Sequence, residues 1–365
     1  MHKNNESYDK LNYQLQTDRK NEYLKTLYNG KVLSPIIPSP ITKNYRHKAV
    51  LSATTIDKRL KLGLFEEGSK VIRPCLDSEL HDKNINKIFT HIEHILNKYK
   101  ITAYDIDKNT GTIKHVLIRK SYAYQTFLVV LVTNGHILPN AKSIVKDIVS
   151  FDSAIETITQ NIQNRKTSIV LLEDEKVLYG SGYIFDEINQ IKFRLSSQSF
   201  YQVNPLQMMN LYSKALELSG ITKNMVVLDC YSGIGTITLL ASEYAKSVIG
   251  IEVNKSSHLD ALYNKKNNRI NNVVFINDDV SKRMKEFDNI DLVVMDPTRD
   301  GASTDFLNSL LQVAPKRIVY ISCEPITQIR DLKMLEKKYK VKCVHPFDMF
   351  PDTKHVECVA LLERK

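Results

Sequence analysis

Apolar residues along this chain follow two different rhythms, and the change comes near residue 200. Beyond it, strand-sized apolar runs recur at Val226-Val227-Leu228, Ser247 to Glu252, Val273 to Ile276, Asp291 to Asp296 and Arg317 to Ser322, each separated from the next by helix-compatible sequence. Two last runs lie at about Lys340–Cys343 and Glu357–Leu362. Short apolar runs bounded by turn residues read as buried strands. Regular strand–helix alternation implies a parallel sheet with crossover helices. Asn204-Pro205-Leu206-Gln207 opens this half: Asn stands at the N-cap, Pro at N1 and Gln at N3 of a helix reaching about Leu218.

Before residue 200 the pattern is mixed. Leu11 to Tyr28 reads as a polar helix carrying leucines at Leu11, Leu15, Leu24 and Leu27, and Pro35, Pro38 and Pro40 break it. His115–Arg119 and Thr126–Thr133 read as strands. Ile85, Ile88, Phe89, Ile92, Ile95 and Leu96 place a helix over Ile85–Tyr99, and a second is expected from Lys142 to Phe151. No internal repeat or low-complexity tract interrupts the chain. The expected division is an N-terminal helical segment over residues 1–44 packing on the C-terminal domain, a mixed α+β substrate-recognition domain over 45–198, and a Rossmann-like α/β domain over 199–365.

Composition narrows the class. A chain of 365 residues with 42% hydrophobic and 25% charged content is long enough for two soluble domains. No apolar run reaches membrane-span length, and the start, Met1-His2-Lys3-Asn4-Asn5-Glu6, lacks the apolar core of a signal peptide. A cytoplasmic location and a monomer are expected. The net charge of +10 is uneven: residues 1–200 hold 29 Lys and Arg against 21 Asp and Glu, whereas residues 201–365 hold 22 against 20. A basic half joined to a near-neutral half fits an enzyme acting on a polyanion, although a generally lysine-rich proteome gives the same excess. The five cysteines, Cys75, Cys230, Cys323, Cys343 and Cys358, form no CxxC pair. They read as reduced thiols, with no iron–sulfur cluster expected.

The candidate chemistry lies at the carboxyl ends of the predicted strands, the edge where open α/β sheets bind ligands. Asp229-Cys230-Tyr231-Ser232-Gly233-Ile234-Gly235-Thr236 is a strand-to-helix glycine turn, and Glu252 follows Asp229 by 23 residues at the end of the next strand, placed to accept from ribose hydroxyls. That spacing also suits a dinucleotide, but a pyrophosphate cradle wants a third glycine, so S-adenosylmethionine fits better. Asp296-Pro297-Thr298-Arg299 ends the fourth strand, as a ligand-orienting carboxylate or simply a capped turn. Phe200 and Gln202, ahead of the Asn204 cap, offer a ring and an amide to a flipped base. Cys323 follows the apolar strand ending in Ser322 and precedes Pro325, which puts its thiol at the strand mouth. A helix start beside it is expected to lower its pKa. The other four cysteines read as small core residues. A thiol at that edge together with the downstream carboxylate Glu357 suggests covalent methyl transfer to a pyrimidine.

SFYQVN (199–204), LDCYSGIGTI (228–237), GIEVN (250–254), DPTRDG (296–301), YISCEP (320–325) and DMFPDTKHVECV (348–359) together resemble the RNA uridine-5-methyltransferase family, in the family's order. The resemblance implies Cys323 as the nucleophile toward C6 of uracil and Glu357 as the base that removes the C5 proton. It further implies Gln202, Tyr231, Gly233, Glu252 and Asp296 around the S-adenosylmethionine and base pocket, with Phe200 and Asp296 toward the base. The implied partner is 23S rRNA or tRNA. Many members open with a small β-barrel and a cysteine cluster holding iron–sulfur; neither is expected here. Thr298 stands where the family has a second proline, and Glu324 where it has asparagine. The rival readings are another S-adenosylmethionine-dependent RNA base methyltransferase, a non-catalytic RNA-binding factor of the same fold and, more distantly, a nicotinamide oxidoreductase.

Overall fold

A computed structural model describes residues 8–365 and divides them into two compact units, one formed by residues up to Thr42, Ile188–Phe193 and Ser199–Lys365, the other by Lys43–Glu187 and Arg194–Gln198. After a 3-10 turn at Tyr8–Lys10, helix α1 (Tyr13–Leu27) begins on Asn12, whose side chain accepts from the Leu15 amide. Of its leucines only Leu24 is fully buried. Leu15 is 48% exposed, whereas Gln16, Thr17, Lys20 and Leu24 are buried. Residues 16, 20 and 24 share one helical face at i+4 spacing, so this helix docks through polar groups that hydrophobic patterning overlooks.

The second unit holds β1 (Lys48–Ile56), β2 (Arg59–Phe65), β3 (Ile72–Pro74), α2 (Lys83–Lys98), β4 (Ile113–Lys120), β5 (Phe127–Thr133), α3 (Ala141–Phe151), β6 (Ile155–Ile162) and β7 (Glu175–Tyr179). Its sheet runs β3-β2-β1-β4-β5-β6-β7. Only β5 and β6 pair in parallel, and α3 makes the crossover that parallel neighbours require. Ile85, Ile88, Phe89, Ile92, Ile95 and Leu96 of α2 pack with Ile144 and Ile148 of α3 on strand residues such as Leu51, Val116, Val129 and Leu131. The predicted helices thus appear within two residues of their expected ends. Ser52, Thr54 and Thr55 dilute the apolar run of β1, and Arg59 and Lys61 alternate with leucines in β2, which is why their pattern is indistinct in sequence. A hairpin of β8 (Tyr183–Ile188) and β9 (Ile191–Ser196) follows.

In the first unit, α4 (Pro205–Ser219) starts on Asn204, whose side chain accepts from the Gln207 amide. Gln207 does not complete a capping box; its Nε2 donates to the Ile37 carbonyl at 2.9 Å. Then come β10 (Val226–Cys230), α5 (Thr236–Ser242), β11 (Ser247–Glu252), α6 (Lys255–Asn267), β12 (Val273–Asn277), α7 (Val280–Arg283), β13 (Leu292–Met295), α8 (Thr304–Val313), β14 (Arg317–Ser322), α9 (Pro325–Leu335), β15 (Tyr339–Phe347) and β16 (Glu357–Arg364). The sheet order is β12-β11-β10-β13-β14-β16-β15. The first five strands are parallel, and β16 enters antiparallel between β14 and β15. Chain order reverses between β10 and β13, the topological switch point at which such sheets bind ligands. Because β16 runs backward, its first residue, Glu357, lies at the same edge as the last residues of the parallel strands.

The segment after α1 pairs with β15 at one edge of the sheet. Ser34 N donates to Val344 O at 2.9 Å, Ile37 N to Pro346 O at 2.8 Å, and Asp348 N to Ile37 O at 2.9 Å. An edge paired in this way no longer offers its backbone to other chains. Among the described residues no helix is long and apolar enough to cross a membrane.

Candidate active site

The β14–β16 ladder ends with Ser322 opposite Cys358. The next residue on each side is Cys323 and Glu357, so thiol and carboxyl leave neighbouring backbones about 5 Å apart. Phe347 of β15 pairs with Glu357 from its other side. Glu357 is 2% exposed, and both of its oxygens receive the Gln202 Nε2, at 3.2 and 3.3 Å. Burial pushes its pKa up to about 7, opposed by the Gln202 hydrogen bond and the Arg299 charge. Half-buried Asp296, beyond Met295 of β13, is held well above the usual carboxyl range by desolvation and then by the Glu357 and Asp229 charges. The Glu357 charge disfavours ionisation of Asp296, as expected of two carboxyls sharing a buried site.

Half-buried Cys323 is also shifted, and upward. Burial first, then the Glu357 and Asp296 carboxylates, push its thiol to about 11, while Arg299 pulls it down. This reverses the lowering expected from the start of α9. At that helix start Glu324 caps by accepting from Ile326 N at 3.4 Å, and its own amide donates to Ser322 Oγ at 3.1 Å. Glu324 therefore has a plain capping role. Thr298 is exposed, and its carbonyl accepts from Gly301 N at 2.9 Å to close the turn after Asp296. Of the remaining thiols, Cys230 and Cys358 are buried as expected, whereas Cys75 and Cys343 are half-buried.

Across the switch point, Tyr231, Gly233 and Gly235 adopt positive φ of 67°, 56° and 83°. Gly233 faces open space, since a Cβ built on it meets nothing within 4 Å. The Gly233 amide donates to Glu252 Oε2 at 2.8 Å, and Glu252 Oε1 accepts from Asn254 N at 2.6 Å. One carboxylate thereby sets the turn's shape and keeps lone pairs for a ligand hydroxyl. Ser232 Oγ is buried in the same turn without a hydrogen-bond partner, the kind of orphan that a ligand satisfies. The arrangement fits S-adenosylmethionine: open space over the glycines, an acceptor for ribose, an unpaired hydroxyl and no phosphate cradle. Buried Asp229 beneath it is raised to about 7 by desolvation and accepts from Thr238 Oγ1 at 2.5 Å.

The structure thus gathers Gln202, Asp296, Cys323 and Glu357 into one cluster and places Tyr231, Gly233 and Glu252 on the neighbouring strand ends. Phe200 is 62% exposed and directs no hydrogen bond into the cluster, while the adjoining Ser199 Oγ donates to Asp260 at 2.6 Å. Sequence reasoning missed Arg299, the cation whose charge acts on both Cys323 and Glu357. The clue was a lone arginine in the turn after Asp296. Among the described residues no group of three or more His, Cys, Asp or Glu side chains is arranged to hold a metal ion.

Comparison with known proteins agrees with this geometry. The family model for tRNA (uracil-5-)-methyltransferase matches residues 12–365. The chain is 37% identical over 337 residues to an uncharacterised RNA methyltransferase of Oceanobacillus iheyensis, covering 91% of this chain and 73% of the relative. It is 38% identical over 325 residues to one from Clostridium acetobutylicum, covering 88% and 71%. Among solved structures it is similar to the Pyrococcus abyssi tRNA (uracil-54, C5)-methyltransferase in complex with S-adenosyl-L-homocysteine, with a TM-score of 0.80, 26% identity, and 96% of this chain and 84% of that one covered. The chain belongs to the tRNA (uracil-5-)-methyltransferase family of S-adenosylmethionine-dependent RNA methyltransferases.

Proposed function

We propose that the protein forms 5-methyluridine in a structured RNA, tRNA or 23S rRNA, through a covalent bond between Cys323 and C6 of the target uracil. The observation that carries this reading is the placement of Cys323 and Glu357 one step beyond the paired residues Ser322 and Cys358. A thiol and a carboxyl on facing strand ends can serve one pyrimidine ring at two adjacent carbons.

C5 of uracil is a weak nucleophile until a thiolate adds at C6. Cys323 Sγ, its proton passed to solvent, bonds to C6, and the C5=C6 electron pair moves onto C5 and O4 as an enolate. Burial and the neighbouring carboxylates disfavour the Cys323 thiolate, and the Arg299 cation favours it. S-adenosylmethionine, when bound, supplies an electrophilic methyl group on a sulfonium. C5 would take up that methyl as the sulfonium S–CH3 bond breaks and a neutral thioether leaves, so that C5 carries both the methyl and its original hydrogen. Ionised Glu357 removes the C5 proton, the C5=C6 bond re-forms, and the S–C6 bond breaks to release Cys323. Gln202 supports the ionised state by donating to both carboxylate oxygens.

The target base must leave its stack, at a cost of a few kcal/mol. The exposed Phe200 ring offers a replacement stacking surface at the unit that bears the site. Residues 45–198 are assigned to RNA recognition, supported by the +8 excess in residues 1–200. The solved neighbour acts on uracil 54 of tRNA, and the relatives named above are RNA methyltransferases of unstated target, so both RNA classes belong in the assay. The test is tritium release from RNA labelled at uridine C5, using tRNA and 23S rRNA that lack the modification. Cofactor-dependent release from one of them is expected, and it must vanish in Cys323→Ala. Release that survives that substitution overturns the covalent mechanism.

A further inference from the structure

Residues 348–356 connect β15 to β16 and deliver the chain to Glu357. No ladder holds this connection; instead helix α1 grips it at two points. Lys20 Nζ donates to Asp348 Oδ1 at 2.7 Å and to the Phe350 carbonyl at 3.2 Å. Both charged side chains are sealed from solvent, at 1% and 0% exposure. One turn earlier on the same helical face, Gln16 makes a reciprocal pair with Asp352: its Nε2 donates to Oδ1 at 2.6 Å, and its Oε1 accepts the Asp352 amide at 2.9 Å. Asp352 holds a left-handed φ of 62°, a conformation that costs a residue with a side chain roughly 1–2 kcal/mol. Two further contacts pin the same connection, Asn204 Nδ2 on Met349 O at 3.2 Å and Asp348 N on Ile37 O at 2.9 Å.

Stability alone does not account for this arrangement. Withdrawing an ammonium and a carboxylate from water costs several kcal/mol per ion, and apolar residues of similar volume usually stabilise a fold as well or better. Burial lowers the Lys20 pKa, and the Asp348 charge only opposes that effect. What an ion pair provides and an apolar pair does not is direction: one ammonium donates at once to a carboxylate oxygen and to a backbone carbonyl. We propose that Lys20, with Asp348, is a positioning residue for proton removal from C5, holding the β15–β16 connection so that Glu357 stands where the C5 proton is presented. The inference rests on Glu357 acting as the base. It assigns a catalytic consequence to α1, a helix that contributes nothing else to the cluster around Cys323.

The test separates the last chemical step from those before it. In the full-length double variant Lys20→Met/Asp348→Leu no charge is buried unpaired, so a thermal midpoint close to wild type is expected. Adduct formation, followed as RNA covalently retained on denaturing gels after addition of S-adenosylmethionine, should proceed at the wild-type rate. Resolution of the adduct should slow on the order of 100-fold, the effect of a misplaced reacting group, so that the methylated adduct accumulates. Should the double variant not fold, Gln16→Leu carries the test, loosening the same connection without burying a charge and giving a smaller accumulation of the same species. A folded variant that resolves the adduct at the wild-type rate overturns the proposal. Equal losses in formation and resolution overturn it as well, because they mark a merely structural role. Glu357→Gln runs in parallel: if it traps the adduct and the double variant does not, only the positioning role falls. If Glu357→Gln turns over like wild type, the base assignment falls first.

Discussion

Gln202 donates its side-chain amide to both carboxylate oxygens of Glu357, at 3.2 and 3.3 Å, so a neutral group supports the buried acid from the segment just ahead of α4. That hydrogen bond favours the ionised form, against a burial effect that has already raised the pKa to about 7. Gln202→Leu removes the opposing influence, and the Glu357 pKa moves higher. If Glu357 is the base proposed above, it must be ionised to act, so resolution of the adduct should increase with pH through about 7 in the wild type and at higher pH in the variant. The pH profile of single-turnover tritium release measures this. Coincident acidic limbs would show that Gln202 does not tune the base.

Stability should report the same burial. The folded-state pKa of Glu357 lies above its ordinary value of 4.5, so the fold favours the protonated form. Its contribution is complete below about 4.5 and is lost as pH rises to about 7, beyond which the ionised side chain is a constant burden. Glu357→Gln stays neutral throughout. It should match the wild type near pH 4 and exceed it above pH 7, by on the order of 1–3 kcal/mol, in denaturant titrations at the two pH values. A stability gain that is the same at both pH values contradicts the assignment.

The raised thiol of Cys323 makes free enzyme slow to alkylate. Iodoacetamide modification at that residue should accelerate about tenfold per pH unit up to about 11, because the thiolate is the reactive form. Removing the Glu357 charge in Glu357→Gln lowers the pKa and speeds modification at pH 8. Removing the Arg299 charge in Arg299→Ala raises it and slows modification, together with methyl transfer. Peptide mass spectrometry resolves Cys323 from the four other cysteines, and a profile centred below pH 8 would refute the electrostatic reading.

Two glycines of the turn after β10 separate fold from cofactor binding. At Gly235 a Cβ would fall 2.5 Å from Phe275 Cζ and 3.0 Å from Cε1, so Gly235→Ala should cost about 1–3 kcal/mol of stability. At Gly233 it meets nothing within 4 Å, and Gly233→Ala bears only the left-handed backbone cost of roughly 1–2 kcal/mol. That methyl group nonetheless enters the open space assigned to S-adenosylmethionine. Calorimetric titration should therefore show a larger loss of affinity than the stability change of Gly233→Ala explains. Unchanged affinity would place the cofactor elsewhere.

The sequence by itself determined the α/β alternation after residue 200, because buried parallel strands must be continuous apolar runs and their helices need caps such as Asn204. It also determined which residues stand at strand ends, since turn chemistry and the apolar boundary are local signals. That sufficed to single out Cys323, Glu252, Asp296 and Glu357. Tertiary structure decided what those residues meet. Sequence order makes β16 the last strand, and only its insertion between β14 and β15 brings Glu357 alongside Cys323. The thiol pKa was misjudged for the same reason: a helix start is a local feature, whereas desolvation and the Glu357 and Asp296 charges arise from segments distant in sequence. The polar face of α1 was likewise invisible. Gln16 and Lys20 look like solvent-facing residues until a connection more than 300 positions away supplies their partners, and no rule of periodicity encodes a hydrogen bond across that separation.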